Sequence, residues 1–468
     1  MPRLLESEIP YPEDGDVSRL FEVVADRPWS IWLDSGSGHH SGAAHSARYD
    51  IIVAEPAITL VTREGVTAVT DEQGEVTASR EEPLALLRQT LGRRNDVDLC
   101  GVPFAGGAVG YFGYDLARLW ERLPEQAEDD LQLPQMAVGI YDWALVCDRQ
   151  QQRCRLVSTR HHDAQASQWR TLLERFSSAA RDNTGRIEPT MQATGPVVCN
   201  MDEAQYAAAF ARIQHYLEEG DCYQVNLAQR FSLPVEGSAW SGYKQLRRHG
   251  AGPFSAYLNL PGVQILSTSP ERFLRLERGQ VETRPIKGTR RRLADALLDR
   301  QQQQALLGSE KDRAENLMIV DLLRNDLGKS CRTGTVKVPQ LFTLESYATV
   351  HHLVSSVTCR LAEGEDALSL LQNCFPGGSI TGAPKLRAME IIEELEPHRR
   401  GVYCGSIGYI GFHGDMDSNI AIRTAVHHKQ RLYYAAGGGI VRDSVCTEEY
   451  QESFDKAAAF LGSFPWQE

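Results

Sequence analysis

The chain has 468 residues, 42% hydrophobic and 24% charged, the balance of a soluble globular protein with enough material for a large core. A net charge of −13, from 49 basic and 62 acidic residues, argues against nucleic acid as the partner, since such binding rests on basic patches. It leaves room for a local cationic pocket that takes a small anion.

Length predicts two or three domains, or one large intertwined fold. No run of about 18 apolar residues occurs, so no membrane-spanning helix is expected. Residues 1–8 lack the apolar core of a signal peptide. The ten cysteines show neither C-x-x-C nor zinc spacing, so they are expected to be reduced, mostly buried thiols of a cytoplasmic protein. No internal repeat stands out.

In chain order, the first part is β-rich. Residues 30–36 form an apolar segment running into a turn, and 49–54, 57–62 and 66–70 are predicted strands. Leu84, Leu87 and Leu91 give 82–92 helical spacing. Residues 104–115 are glycine-rich but lack the Gly-Lys-Ser/Thr ending of a P-loop, so they read as close-packed strand glycines. Residues 138–146 read as one buried strand. The stretch 177–198, rich in Ser, Thr, Gly and Pro, is the predicted linker. It divides an N-terminal region, 1–198, from a second region, 199–468.

Residues 202–219 are predicted as an amphipathic helix, with Asp202 as N-cap and Gly220 beyond its end. Strands follow at 222–231, 253–258 and 280–283, helices at 312–327, 366–371, 385–395 and 447–461, and paired strands across 403–441.

Several stretches carry chemistry. Arg284-Pro285-Ile286-Lys287-Gly288-Thr289 is stiffened by Pro285, and Gly288 removes a side chain. Lys287 there is either a nucleophile, if burial or cations lower its pKa, or a solvated turn lysine. Glu315 lies on one predicted helix. Glu449 and Glu452 are i,i+3 on another, with Lys456 four residues beyond Glu452. Carboxylates from two helices, completed by water, suit Mg²⁺; the alternative is a salt-bridged surface helix. Residues 377–385 form a glycine-rich turn before a helix. The turn is either an anion site or a plain turn capped by Ser379 or Thr381. His352 sits in a strand-like run, where a core histidine is the default. Arg423, in an apolar strand, needs an anionic partner if buried.

Taken together, the motifs resemble a family. Cys222-Tyr223-Gln224-Val225-Asn226-Leu227, Ser269-Pro270-Glu271-Arg272-Phe273, 284–289, Asp312-Arg313-Ala314-Glu315-Asn316, 321–326, 350–355, 377–385, 405–409 and 436–441 stand in the order found in the chorismate-utilising enzymes. That family holds anthranilate synthase large subunits, aminodeoxychorismate synthase component I, and isochorismate and salicylate synthases. The resemblance covers residue 200 to the C-terminus, and the first part also looks like the family's N-terminal region. Where anthranilate synthases carry alanine, this chain has Lys287. Where isochorismate and salicylate synthases carry a lysine base, it has Gln224. Both resemble the branch that aminates chorismate at C4.

The resemblance implies an α+β fold of two large, mostly antiparallel β-sheets packed as a sandwich with helices outside, and a chorismate-binding catalytic domain over 199–468. It implies Mg²⁺ held by Glu315 and Glu452, with Glu449 near or through water, binding the ring carboxylate of chorismate. Lys287 is the implied nucleophile at C2 and Glu271 the general acid for the 4-hydroxyl, with ammonia then adding at C4. Arg423 and Tyr409 are expected on the enolpyruvyl carboxylate, Gly437 and Gly439 as backbone contacts, and His352, Thr381, Lys385 and Lys456 around the pocket. No glutaminase nucleophile elbow is visible, so a separate glutamine amidotransferase subunit is the expected ammonia source. Ser35, Arg48, Tyr49, Pro253 and Phe254 match the positions where some family members hold tryptophan. The alternatives are an anthranilate synthase component and a non-catalytic chorismate- or tryptophan-binding subunit.

Overall fold

The computed structural model describes residues 4–36, 48–92, 99–159, 166–182, 188–347 and 350–466. They form two antiparallel sheets, one of 13 strands and one of 12. Between the sheets lies an apolar layer of Ile31, Ile51 and Val146 from the first and Val109, Tyr111 and Tyr141 from the second. Helices cover the two outer faces. Trp240 and Tyr243 of Ala239–Gly250 and Phe460 of Cys446–Ser463 pack on the first sheet. Leu84 and Leu87 of Pro83–Leu91 and Val320 and Leu327 of Glu310–Gly328 pack on the second, while Ile391 and Ile392 of Lys385–Leu395 pack with Val225 and Leu227 of the first. Such side chains contribute about 1.5–3 kcal/mol each on burial.

Because both faces of the first sheet are covered, its strands alternate between two cores rather than between core and water. In Trp143–Asp148, Trp143, Leu145 and Cys147 face the helices while Ala144 and Val146 face the second sheet. Both sheets draw strands from either side of residue 198. Phe254–Leu260 pairs with Ser30–Asp34 in one, and Ser406–Gly411 with Gly107–Phe112 in the other. The linker boundary therefore does not divide the sheets.

The helix Glu203–Glu219 is capped as expected. Asp202 and Gln205 form a reciprocal capping box, and Gly220 takes a left-handed conformation at φ +79°. The glycines at 107 and 110 are close-packed in a strand: a Cβ on either would overlap backbone of the neighbouring strand. Four expectations need correction. The run 138–146 is two strands, Met136–Tyr141 in one sheet and Trp143–Asp148 in the other, with the chain crossing at Asp142. The linker begins later than expected, because the helix Ala166–Arg181 occupies its first residues; residues 183–187 lie outside the described ones. Arg423 stands before the strand Thr424–His428, at φ +52°, not within it. Four cysteines are paired rather than free, Cys147 with Cys154 and Cys331 with Cys359. Antiparallel register sets Cys147 opposite Cys154, a relation no metal or redox motif encodes. Among the described residues no helix is long and apolar enough to cross a membrane.

Candidate active site

Lys287 lies on the strand Ile286–Arg291, whose register against Val350–Arg360 shifts between Ile286 and Thr289. Gly288, at φ +86°, occupies the irregularity. The lysine is partly buried, with 13% of its side chain exposed, and its Nζ donates to Glu315 Oε1 at 2.8 Å. Glu315 projects from the helix Glu310–Gly328 and also accepts from Gln224 Nε2 at 2.6 Å. Burial pushes the Lys287 pKa down, but Glu315, with Glu271 and Glu452 adding, leaves it above the ordinary lysine value. Burial raises Glu315, and Lys287 and Gln224 outweigh it, so this carboxylate sits below the ordinary range. The resting pair is therefore an ammonium and a carboxylate, not the neutral amine that an attack requires.

Glu271 follows the strand Val263–Ser269 and is 5% exposed. Burial pushes its pKa up to about 7 even though Ser379 Oγ donates to its Oε1 at 2.7 Å and Lys287 adds positive charge. A carboxyl half-protonated near neutrality is suited to donate a proton.

The third wall is the strand Arg431–Ile440, in which Gly438 and Gly439 leave space that side chains from elsewhere fill, while Gly437 lies against the backbone of Leu227 and Ala228. A Cβ on Gly438 would lie 2.8 Å from Glu449 Oε2 and 3.3 Å from Glu452 Oε1; one on Gly439 would lie 2.9 Å from Glu315 Oε1. Carboxylates from two helices thus converge over Gly438 and Gly439. Glu452 pairs with Lys456 at 2.5 Å, and that lysine also donates to Gly437 O at 2.8 Å. Burial raises Glu452, but Lys456 brings it below the ordinary range. Glu449 accepts from Ser444 Oγ at 2.7 Å, and burial together with the Glu452 charge keeps it raised. Among the described residues no three such side chains already close on one point. The donor set is oxygen-only and incomplete, which fits a hard cation that completes its shell with water and substrate oxygens.

His352, on Val350–Arg360, shares a 2.9 Å hydrogen bond with Thr289 Oγ1. Burial, with Arg423 and His351 adding, drops its pKa to about 3, so the ring is neutral. Arg423 donates to the backbone oxygen of Lys456. Two expected pocket residues are held in local structure. Thr381 Oγ1 donates to Gly377 O at 3.1 Å, and Lys385 is engaged by Asp326 at 2.6 Å and Cys374 O at 2.7 Å. Tyr409 is not with this group. It lines a separate cavity of about 490 Å³, in company with Ser35, Arg48, Tyr49, Pro253 and Phe254, and its ring lies 5.1 Å from that of Phe104. The five residues matched to a tryptophan position do gather round one space.

Residues 30–462 match the family described as chorismate binding enzyme. The chain belongs to the chorismate-binding enzymes. It is 50% identical over 445 residues to aminodeoxychorismate synthase component 1 of Klebsiella aerogenes, covering 94% of this chain and 95% of that one. It is 47% identical over 446 residues to the Escherichia coli (strain K12) protein of the same name, 94% of each chain. Among solved structures, anthranilate synthase component I from Streptococcus pneumoniae TIGR4 superposes with a TM-score of 0.76 at 31% identity, over 88% of this chain and 91% of that one.

Two residues of this chorismate-binding enzyme were not singled out as site residues from sequence. Ser379 was read only as a helix cap, yet the helix Lys385–Leu395 starts after Pro384 and Ser379 instead donates to Glu271. Gln224 was read as the absence of a lysine, yet its amide binds Glu315.

Proposed function

We propose that this enzyme replaces the C4 hydroxyl of chorismate with an amino group, giving 4-amino-4-deoxychorismate, with Lys287 as nucleophile and Glu271 as acid. The observation that carries the reading is a partly buried lysine in contact with Glu315, whose charge acts on a buried carboxyl with a pKa near 7. The ammonium first gives up a proton to solvent, since Glu315, held below the ordinary carboxylate range, stays ionised. The amine then bonds to ring C2, both conjugated ring double bonds shift, and the C4–O bond breaks as Glu271 protonates the departing hydroxyl to water. Ammonia bonds to C4 with the reverse shift, and the C2–N bond to Lys287 breaks. Splitting one displacement into two lowers each barrier.

Glu315, Glu449 and Glu452 are the residues that would hold Mg²⁺, which when bound orients the ring carboxylate and offsets its charge. His352, Arg423, Lys456 and the amides of Gly437 and Gly439 border the same space. Ammonia comes from a separate glutaminase subunit. Cys404 offers no nucleophile for glutamine, because burial pushes its thiol up to about 12. The reading places the reaction in the cytoplasm. The five-residue cavity, bordered by Tyr409, is assigned to tryptophan as a bound structural or regulatory ligand.

The test is product analysis with purified chain, chorismate, Mg²⁺ and ammonium, beside Lys287→Ala. Wild type is expected to give aminodeoxychorismate and the variant to lose most of that activity. Anthranilate as the wild-type product would overturn the amination at C4. It would favour the reading suited to the anthranilate synthase relatives, such as that of Acetivibrio thermocellus at 35% identity.

A further inference from the structure

Behind the pocket, away from the carboxylates, lies a charged pair that the proposed chemistry does not use. Arg400 and Glu396 are both buried, at 9% and 5% exposure. The guanidinium binds Glu396 with two parallel hydrogen bonds, Nε to Oε2 at 2.9 Å and Nη2 to Oε1 at 2.6 Å. Its remaining hydrogen bonds go to two backbone carbonyls, Ile380 O from Nη1 at 3.0 Å and Asn226 O from Nη2 at 2.8 Å. Glu396 Oε1 in turn accepts from Ala228 N at 2.9 Å. The arginine also stacks over the Tyr114 ring, 4.9 Å from its centre.

Those two carbonyls belong to the two walls of the site. Ile380 lies between Ser379, which donates to Glu271, and Thr381, whose carbonyl accepts from Asn226 N at 2.8 Å. Asn226 and Ala228 lie on the strand that carries Gln224, and there they face Gly439 and Gly437 across the ladder. We propose that Arg400 is a positioning residue that fixes the Gly377–Thr381 turn against this strand and so holds Ser379 on the Glu271 carboxyl. The proposal rests on the reading of Glu271 as the proton donor. Only a planar fork can bind a carboxylate with two bonds and span two carbonyls at once; a lysine ammonium on the same stem cannot. Unpaired buried charges are costly, so the geometry is held rigidly.

The experiment measures kcat and KM for chorismate against pH, at saturating Mg²⁺ and a fixed concentration of free ammonia, for wild type, Arg400→Lys, Ser379→Ala and the double variant. Loss of the Ser379 donor removes a bond that favours the Glu271 carboxylate. The alkaline limb of kcat should therefore move up by about one pH unit in Arg400→Lys, as in Ser379→Ala. Misplacement of the acid should cut kcat about 10- to 100-fold with KM nearly unchanged. In the double variant the limb should stand where Ser379→Ala alone puts it, since the arginine acts through the serine. A folded Arg400→Lys with the wild-type limb and kcat overturns the proposal, and so does additivity in the double variant. If Arg400→Lys does not fold, Glu396→Gln keeps the shape of the clamp and weakens its anchor. It should shift the limb in the same direction by less, and a folded Glu396→Gln with the wild-type limb overturns the proposal. Glu271→Gln separates the two readings. If its alkaline limb survives, Glu271 is not the donor, and Arg400 is judged on kcat and on non-additivity with Ser379 alone.

Discussion

Substituting Gly437, Gly438 and Gly439 singly with alanine sets backbone collision against side-chain collision on one strand. At Gly437 the new methyl would overlap the carbonyl oxygen of Leu227 and lie 2.5 Å from Ala228 Cα, so the two central strands must separate. At Gly438 it would meet only Glu449 Oε2 at 2.8 Å and Glu452 Oε1 at 3.3 Å, the free ends of two flexible chains. At Gly439 it would overlap Gln224 Nε2 and press on Glu315 Oε1 at 2.9 Å. Overpacking costs about 1–3 kcal/mol, and more where backbone has to move. Gly437→Ala is therefore expected to lose about 3 kcal/mol or more and to melt about 5 °C or more below wild type. Gly438→Ala should sit at the low end of stability loss but raise the Mg²⁺ concentration for half-maximal activity about 10- to 100-fold, as displaced metal ligands do. Gly439→Ala should fold and lose activity, because the hydrogen bond from Gln224 to Glu315 cannot survive the methyl. The assays are thermal melts and a Mg²⁺ titration of chorismate amination with ammonium. A Gly437→Ala protein that melts like wild type, or a Gly438→Ala protein with unchanged Mg²⁺ dependence, would refute the packing argument.

Two further outcomes are expected. With its pKa raised to about 7, Glu271, the proposed donor, is protonated below that pH, so kcat should fall as pH rises through it; Glu271→Gln should lower activity strongly and abolish that limb, and an unchanged limb would assign it to another group. Protein purified without added tryptophan and then denatured should release it in stoichiometric amount by mass spectrometry; its absence, together with no heat of binding on titration, would remove tryptophan from the cavity.

Local features were legible in the sequence. Asp202 and Gly220 mark a helix because capping is decided within one turn. The glycines at 107 and 110 were read as packing residues because nothing around them could cradle phosphate. Features that depend on which face a strand turns where were not legible. An uninterrupted apolar run such as 138–146 gives no period when both faces are buried, so the crossing at Asp142 was hidden. Tyr409 was placed with chorismate by its motif. Yet on its strand it shares a face with Ile407, towards the inter-sheet layer and the second cavity, while Ile410 faces the opposite core. Lys287 was expected to be poised by cations or dryness. Its strongest neighbour, Glu315, lies 28 residues on, a pairing that only the fold creates. For Arg400 the spacing from Glu396 offers only an ordinary i,i+4 pair, and its other partners are carbonyls, which every residue carries.

The interleaving of the two sheets bears on how the chain is made. The strand Gln224–Glu236 pairs along most of its length with Arg431–Ile440, which leaves the ribosome long after it. Until then its edge is open, and Ser30–Asp34 and Gly107–Phe112 have waited even longer for partners from the second half. Open edges of apolar strands are templates for pairing with other chains. A nascent copy of this enzyme is thus an aggregation hazard until those later strands emerge. Truncating it from the C-terminus would remove the middle of a sheet rather than a tail.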